Sequence, residues 1–222
     1  MNFLSISTTQ LRASLSYFRE EENIISFDVS RHIAPSKWIS QSIKLIENNF
    51  EDLFDTLNYI AVDIGPGSFT GIKVGLSFAQ SIAISKNLFI VPVKSCAGLA
   101  FFGVEGYKIA TITNAHRNLF YFALFEKDKN DLKEIYNVSS LTLDQILKEL
   151  EKYDREKLCI ITEKDIDHLF VERGKILITS NHNISFAVGE LSKKFREEYR
   201  NISPENIEPL FIRQPDIKLK EK

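Results

Sequence analysis

Hydrophobic and polar positions run through the same order of patterns twice along this chain. NFLSIS (2–7), LRASLSYF (11–18) and IISFDVS (24–30) are short runs with tight polar breaks between them, among them Glu20-Glu21-Glu22-Asn23. The second run alternates apolar and polar residues, and together the three predict a meander of strands. Pro35-Ser36 then opens a helical period, with Ile39, Ile43, Ile46 and Phe50 on one face of a helix over about 36–50. NYIAVDIG (58–65) is apolar enough for a strand buried on both faces. Gly65-Pro66-Gly67-Ser68 turns it into a helix over about 69–85, followed by a buried strand, LFIVPV (88–93), and a short helix, SCAGLAFF (95–102).

The second half repeats the order. KIATITN (108–114), LFYFALFE (119–126) and LKEIYNVS (132–139) predict another meander. Thr142 with Gln145 has the spacing of a capping box and opens a helix carrying Ile146, Leu147, Leu150 and Tyr153. Strand LCIIT (158–162), a short helix over about 164–171 and strand KILITS (175–180) follow. A last helix keeps Ile184, Val188, Leu191, Phe195 and Tyr199 in register. Each half reads β-β-β-α-β-α-β-α. A meander feeding crossover strands predicts an α/β class with a mixed sheet and helices on both faces. Two such lobes in tandem, divided here as 1–105 and 106–222, form the layout of the actin, Hsp70 and sugar-kinase class, the duplicated ribonuclease H-like (ASKHA) fold.

Charge narrows the function classes. Over 222 residues, 28 Lys and Arg stand against 30 Asp and Glu, a formal net charge of -2. That argues against a general nucleic-acid coat, which needs a positive footprint, and predicts weak, unselective nucleic-acid binding by the isolated chain. Residues 1–105 hold 18 charged side chains, whereas 106–222 hold 40. A first lobe richer in sheet explains this, and so does a partner covering that lobe, since interface cores are poor in charge. Cys96 and Cys159 are too few for a disulfide framework or a four-thiolate zinc site, and both lie in apolar runs that predict buried free thiols. MNFLSISTTQ lacks the basic and apolar regions of a signal peptide, and no apolar run approaches the roughly 20 residues of a membrane span. A cytoplasmic protein without membrane association is expected.

Gly65-Pro66-Gly67-Ser68-Phe69-Thr70-Gly71 carries the most information. Between a buried strand and a helix, such a loop can offer backbone N–H groups to a phosphate, with Gly67 removing the obstructing side chain and Ser68 capping the helix. The spacing fits neither a Walker A loop nor the dinucleotide pattern, and a tight strand-to-helix turn explains the same residues. In the helix that follows, Gly71, Gly75, Ala79 and Ala83 form a small-residue stripe between Val74, Phe78 and Ile82 on one side and Ile72 and Leu76 on the other. This arc is about twice the roughly 100° that one packing surface requires, which predicts two partners. The sheet is one. The other is a neighbouring helix or another chain, because small residues four apart let two helix backbones approach closely.

The segment YIAVDIGPGSFTGIKVGLSFAQSIA (59–83) resembles the signature of the TsaB (YeaZ-type) family, subunits of the bacterial machinery that makes threonylcarbamoyladenosine in tRNA. FLSISTTQLRASLSYF (3–18), NAHRNLFYFALF (114–125) and PLFIR (209–213) resemble the family's opening strand, second-lobe hairpin and closing element. The chain departs from the family where its first strand ends: Ser7-Thr8-Thr9-Gln10 replaces Asp-Thr-Ser-Thr. The hairpin's Asp-Ala-Arg is Asn114-Ala115-His116, and the His-Ser-Glu that opens the first helix is Pro35-Ser36-Lys37. Members of the wider ATPase class use the missing acid near metal and phosphates, so Ser7 argues against nucleotide hydrolysis. The resemblance implies a non-catalytic subunit that dimerises with a TsaD-type paralogue. It implies that this paralogue, not this chain, holds ATP and metal, and that a TsaE-type ATPase joins, with tRNA contacted indirectly. It puts the partner interface on Ile39, Ile43, Ile46, Gly71, Ile72, Gly75, Leu76 and Ala79, and leaves Gly65, Gly67, Ser68 and Gly71 as a vestigial phosphate site. Two rival readings stand beside it: an active small-molecule kinase or ATPase of the same class, and a self-associating homologue without a tRNA role. A homodimer of the isolated chain through the same helices is a related expectation.

Other chemistry-bearing residues point to structure. His32, His116, His168 and His182 show no metal-ligand spacing, and Asp165-Ile166-Asp167-His168 reads as the charged first turn of a helix. Asp63, near the carboxyl end of a buried strand, stands where a metal-holding acid would serve an open α/β sheet, although the family has no acid there. Ser68 is not in a nucleophile elbow, and no zinc motif or catalytic triad supports a peptidase. Lys193-Lys194-Phe195-Arg196 and Lys218-x-Lys220-x-Lys222 are nearly cancelled by Glu190, Glu197, Glu198, Asp216 and Glu221.

Overall fold

A computed structural model of the chain describes residues 1–10, 12–30, 35–129, 131–178 and 182–213. His32, the basic run at 218–222 and the end of the strand expected over 175–180 lie outside these residues. Two five-stranded mixed sheets form. The first contains β1 (Asn2–Ser7), β2 (Arg12–Arg19), β3 (Glu22–Ser30), β4 (Leu57–Asp63) and β5 (Phe89–Val93) in the order β3-β2-β1-β4-β5. The second contains β6 (Lys108–Asn114), β7 (Leu119–Asp128), β8 (Asp131–Thr142), β9 (Leu158–Thr162) and β10 (Lys175–Ile178) in the equivalent order β8-β7-β6-β9-β10. In each, an antiparallel meander is extended by two parallel strands. This is the duplicated α/β topology that the repeated pattern predicts.

The period of two along the strands divides the core. Leu4, Ile6, Leu15, Tyr17, Ile60 and Val62 face one side of the first sheet, where α1 (Pro35–Asn49) and α3 (Phe69–Lys86) cover them. Phe3, Phe18, Tyr59 and Ala61 face the other side, against α6 (Ile184–Tyr199) and α4 (Ser95–Ala100). Beyond these helices lies the second sheet, through Ile109, Ala123, Phe125 and Ile161. Its far face packs Phe122, Leu124 and Ile160 on α5 (Leu143–Leu150) and Phe170. The layers therefore alternate helix, sheet, helix, sheet, helix. No helix among the described residues is long and apolar enough to cross a membrane.

Local signals set most element ends. Thr142 and Gln145 form the complete capping box, and Asn87 ends α3 in a left-handed conformation, with Leu88 N donating to Ala83 O at 2.8 Å. The β2–β3 turn puts Glu20 and Glu21 at φ of 53° and 69°, unusual for side chains without a local amide. Tertiary contacts hold it: Glu20 N donates to Asn2 Oδ1 (2.9 Å), Glu21 N to Met1 O (2.9 Å) and Arg196 to the Glu21 carboxylate (2.6 Å).

The structure differs from the sequence expectation in three respects. A short helix, α2 (Leu53–Thr56), precedes β4. The helix expected over 164–171 is a single 3-10 turn, Asp167–Leu169, because the β9–β10 crossover is near the minimum length for any helix with its loops. The last helix of each half packs on the sheet of the other half as well: α6 lies across β1, β2, β4 and β5, and α4 against β6, β7 and β8. Small residues permit the first crossing. A Cβ at Gly189 would overlap the Phe18 ring, and Ser185 N donates to Ser14 Oγ at 2.9 Å while its carbonyl accepts from Ser5 Oγ at 2.5 Å.

Candidate functional site

The carboxyl ends of β1 and β4 meet the loop before α3, where an ATPase of this topology would hold metal and phosphate. Asp63, the last residue of β4, is fully buried. Its Oδ1 accepts from Gly65 N (3.0 Å) and Ser95 Oγ (2.5 Å), and its Oδ2 accepts from Ser7 Oγ (2.7 Å) and Thr9 Oγ1. Burial pushes the carboxyl above the usual carboxylate range, and the four donors pull in the opposite direction. Both oxygens are thus engaged by the chain itself. Ser7, in the place of the family's acid, donates to Asp63 rather than presenting a charge. The residues here do not fit a metal–phosphate group, and among the described residues no three His, Cys, Asp or Glu side chains cluster with metal-ligand geometry.

The glycine loop closes on the same turn. Gly65, Gly67, Ser68 and Gly71 come together, but around carbonyl oxygens. Ser68 N donates to Thr9 O (2.9 Å), and a Cβ on Gly67 would stand 2.5 Å from that oxygen. A Cβ on Gly71 would overlap Thr8 O outright, and Thr8 Oγ1 donates to Gly71 O (2.6 Å). Gly65, at φ +104°, packs against Ile72 and Leu210 O. Ser68 caps α3 as expected, accepting from Gly71 N at 3.3 Å. The glycines therefore admit backbone oxygen atoms, which repel a phosphate, and the loop is the tight turn rather than an anion cradle. Thr8, Thr9 and Ser95 complete this knot. They carry no sequence signal beyond the need of three glycines for a close neighbour.

The eight residues expected at a partner interface are all inside the chain. Ile39, Ile43, Ile46, Gly71, Ile72, Gly75, Leu76 and Ala79 are buried, and this corrects the expectation. The small stripe of α3 faces its own sheet, where a Cβ on Gly75 would overlap Thr8 Oγ1. One flank, Val74, Phe78 and Ile82, packs on the cluster that holds the α1 isoleucines. On the other flank lies the closing segment: Gln80 Nε2 donates to Pro204 O (3.0 Å) and Ile207 O (3.2 Å), Leu210 N to Ile64 O (2.8 Å), and Phe211 sits 5.0 Å from Phe69. The wide arc is filled intramolecularly. What α3 exposes is Phe69, Thr70, Lys73, Ser77, Ser81, Ile84, Ser85 and Lys86, and α1 exposes Leu45 among polar residues that include Lys44 and Glu47.

The closing segment also reaches the second lobe. Arg213 donates to Ala115 O and to His116 O (3.2 Å) at the tip of the β6–β7 hairpin. There Asn114 Oδ1 accepts from His116 N (2.7 Å), and Glu163 accepts from Asn114 N (2.8 Å). The remaining candidates are structural. Cys96 and Cys159 are buried free thiols, and burial pushes Cys96 up to about 12. Asp167 pairs with Lys164 (2.8 Å), Lys193 with Glu190 (2.7 Å) and Lys194 with Asp131 (3.6 Å).

A family profile described as "TsaD: tRNA N6-adenosine threonylcarbamoyltransferase" matches residues 32–212. The tRNA threonylcarbamoyladenosine biosynthesis protein TsaB of Bacillus subtilis is 25% identical over 190 residues, which is 82% of each chain. The protein of the same description from Buchnera aphidicola (Acyrthosiphon pisum) is 27% identical over 125 residues, covering 55% of this chain and only 57% of its own length. Among solved structures, YeaZ from Pseudomonas aeruginosa superposes with a TM-score of 0.80 over 95% of this chain and 99% of that one, at 14% identity, a likeness of fold.

Proposed function

Because the chain belongs to the TsaD family of tRNA N6-adenosine threonylcarbamoyltransferases, and is of the TsaB/YeaZ type within it, we propose that it is a non-catalytic subunit of threonylcarbamoyladenosine synthesis in tRNA. It pairs with a TsaD-type catalytic subunit, which holds ATP and metal, and a TsaE-type ATPase joins the pair. The observation that carries this reading is the closed knot of Asp63, Ser7, Thr9 and Ser95 with the glycine loop: where a working member needs an open acid, Asp63 is held by internal donors, and the N–H groups of Gly65, Ser68 and Gly71 are engaged within the chain. The isolated chain is expected to give no magnesium-dependent ATP turnover above background. Turnover that Gly67→Val abolishes would overturn the reading in favour of a kinase or ATPase.

The partner face follows from what α1 and α3 leave exposed. Leu45, Ser77, Ser81 and Ile84 lie on the charge-poor first lobe, and Ser77 and Ser81, four apart, offer the shallow seam that a second helix can approach. Ser81→Arg places a long side chain at a solvent-facing helix position that suits arginine, so it is expected to melt like wild type. A steric cost of about 1–3 kcal/mol against the partner weakens binding roughly five- to a hundredfold. Titration calorimetry with the TsaD-type protein from the same source is the measurement. Normal binding by a folded Ser81→Arg protein would move the interface elsewhere, and failure of the wild-type chain to bind at all would reject the subunit reading.

A further inference from the structure

We infer that two uncompensated lysines on α1, Lys37 and Lys44, select the occupant of the α1–α3 face: a subunit whose docking surface carries carboxylates, and not a second copy of this chain. The inference rests on the subunit reading and the partner face given above. Seven residues apart, the two lysines lie on one side of α1, about 10 Å from each other along its axis. Both are exposed, and Lys44 adjoins the half-exposed Leu45. Every other described lysine or arginine of residues 1–105 has a counterpart. Arg12 pairs with Asp28, Arg19 with Asp52 (3.2 Å), Lys86 with Asp55 (3.4 Å) and Lys94 with Glu134 (2.6 Å), and Lys73 Nζ stands 4.2 Å from the centre of the Phe69 ring. Lys37 and Lys44 have neither a carboxylate within ion-pair distance nor a ring beneath them.

The two helices supply no internal answer to that charge. Nothing acidic occurs in α3, and the single acid of α1, Glu47, is exposed and pairs with neither lysine. Residues 1–105 hold 8 Lys and Arg against 10 Asp and Glu, so α1 and α3, with four lysines to one acid, run against the sign of their own lobe. Charge at the rim of an interface governs encounter and the choice of partner more than final affinity. Carboxylates on a different subunit meet these lysines with opposite sign. A two-fold contact of identical chains instead sets the same patch against itself. Like charges placed in that way reject the wrong partner. Ser77 and Ser81 are neutral and admit either occupant, which leaves the decision to Lys37 and Lys44.

The test measures this chain with its TsaD-type partner by titration calorimetry, and alone by sedimentation equilibrium, across a salt series. Between about 0.05 and about 0.5 M NaCl the Debye length shrinks from roughly 14 to roughly 4 Å. Binding to the partner is expected to weaken at least about fivefold over that range, and self-association to strengthen. Lys37→Glu/Lys44→Glu should melt like wild type, since glutamate suits exposed helical positions. It should bind the partner at least about tenfold more weakly at low salt, with the difference closing at high salt. Lys37→Gln/Lys44→Gln should self-associate at least about threefold more tightly than wild type at low salt. Lys148→Glu/Lys157→Glu makes the same change of charge at exposed positions of the second lobe and should match wild type in both assays. Partner binding that Lys37→Glu/Lys44→Glu leaves unchanged overturns the proposal, whatever its salt dependence, and so does an equal loss in the second-lobe control. Self-association that Lys37→Gln/Lys44→Gln does not strengthen overturns it too, because a second copy then meets no repulsion on this face. A wild-type chain that binds no TsaD-type partner at any salt rejects the subunit reading itself, an outcome distinct from binding that the lysines do not affect.

Discussion

Gly71→Val should fail in folding rather than in binding. The added Cβ overlaps the carbonyl oxygen of Thr8, and the next contact, 3.0 Å away, is the carbonyl carbon of the same residue. Both are backbone, in a turn fixed by the Ser68 N–Thr9 O bond and by Thr8 Oγ1 on Gly71 O, so no rotamer change relieves the clash. The cost should lie at the upper end of the roughly 1–3 kcal/mol of overpacking, with helix and turn moving apart. At about 2–4 °C per kcal/mol for a chain of this size, the melting temperature should fall by roughly 6–12 °C. Gly75→Val should lose less, because it meets the Thr8 hydroxyl, which can rotate away at the expense of its bond to Gly71. Thermal melts followed by far-UV circular dichroism would decide. A Gly71→Val protein that melts with wild type and loses its partner would show that the stripe faces outward after all.

The stripe also marks what sequence could and could not show. Its composition and width are legible, because a helical wheel needs only the period. Its direction is not: Thr8 lies 63 residues away in sequence from the glycine that it touches, and nothing local relates them. The glycine loop is ambiguous for the same reason. Glycine is required wherever something comes close to the backbone, and a phosphate oxygen and the carbonyl oxygen of Thr9 demand the same missing side chain. The strands, the capping box at Thr142 and the Ser68 cap were readable because their causes lie within a few residues. The crossing of α6 onto the first sheet was hidden in Ser185 and Gly189, whose smallness has meaning only beside Ser14 and Phe18. Asp63 drew attention by its position at a strand end, and its role as an internal acceptor became visible only when Ser7, Thr9 and Ser95 converged on it.

Asp63 offers the sharpest test of that convergence. Asp63→Leu removes the acceptor shared by three hydroxyls and one N–H, all buried. An unsatisfied buried group costs about 1–3 kcal/mol. Thr9 and Ser95 already lie 2.9 Å apart and can pair with each other, so the net loss is expected near 3–5 kcal/mol. Asp63→Asn should lose only about 1 kcal/mol, because the hydroxyls of Ser7 and Thr9 can turn to accept from the amide while its oxygen keeps Gly65 N and Ser95. The two variants also separate burial from hydrogen bonding through pH. Burial raises the carboxyl's titration in the folded protein above its unfolded value of about 4. The folded state then binds the proton more tightly, so this contribution to stability is complete below about pH 4 and is lost as pH rises through the raised value. Denaturant titrations of wild type and Asp63→Asn from acid to neutral pH should therefore show wild type losing ground to the variant as pH rises, then running parallel. If wild type instead gains on Asp63→Asn over that range, the four donors outweigh burial, and the knot is built around a carboxylate that stays charged.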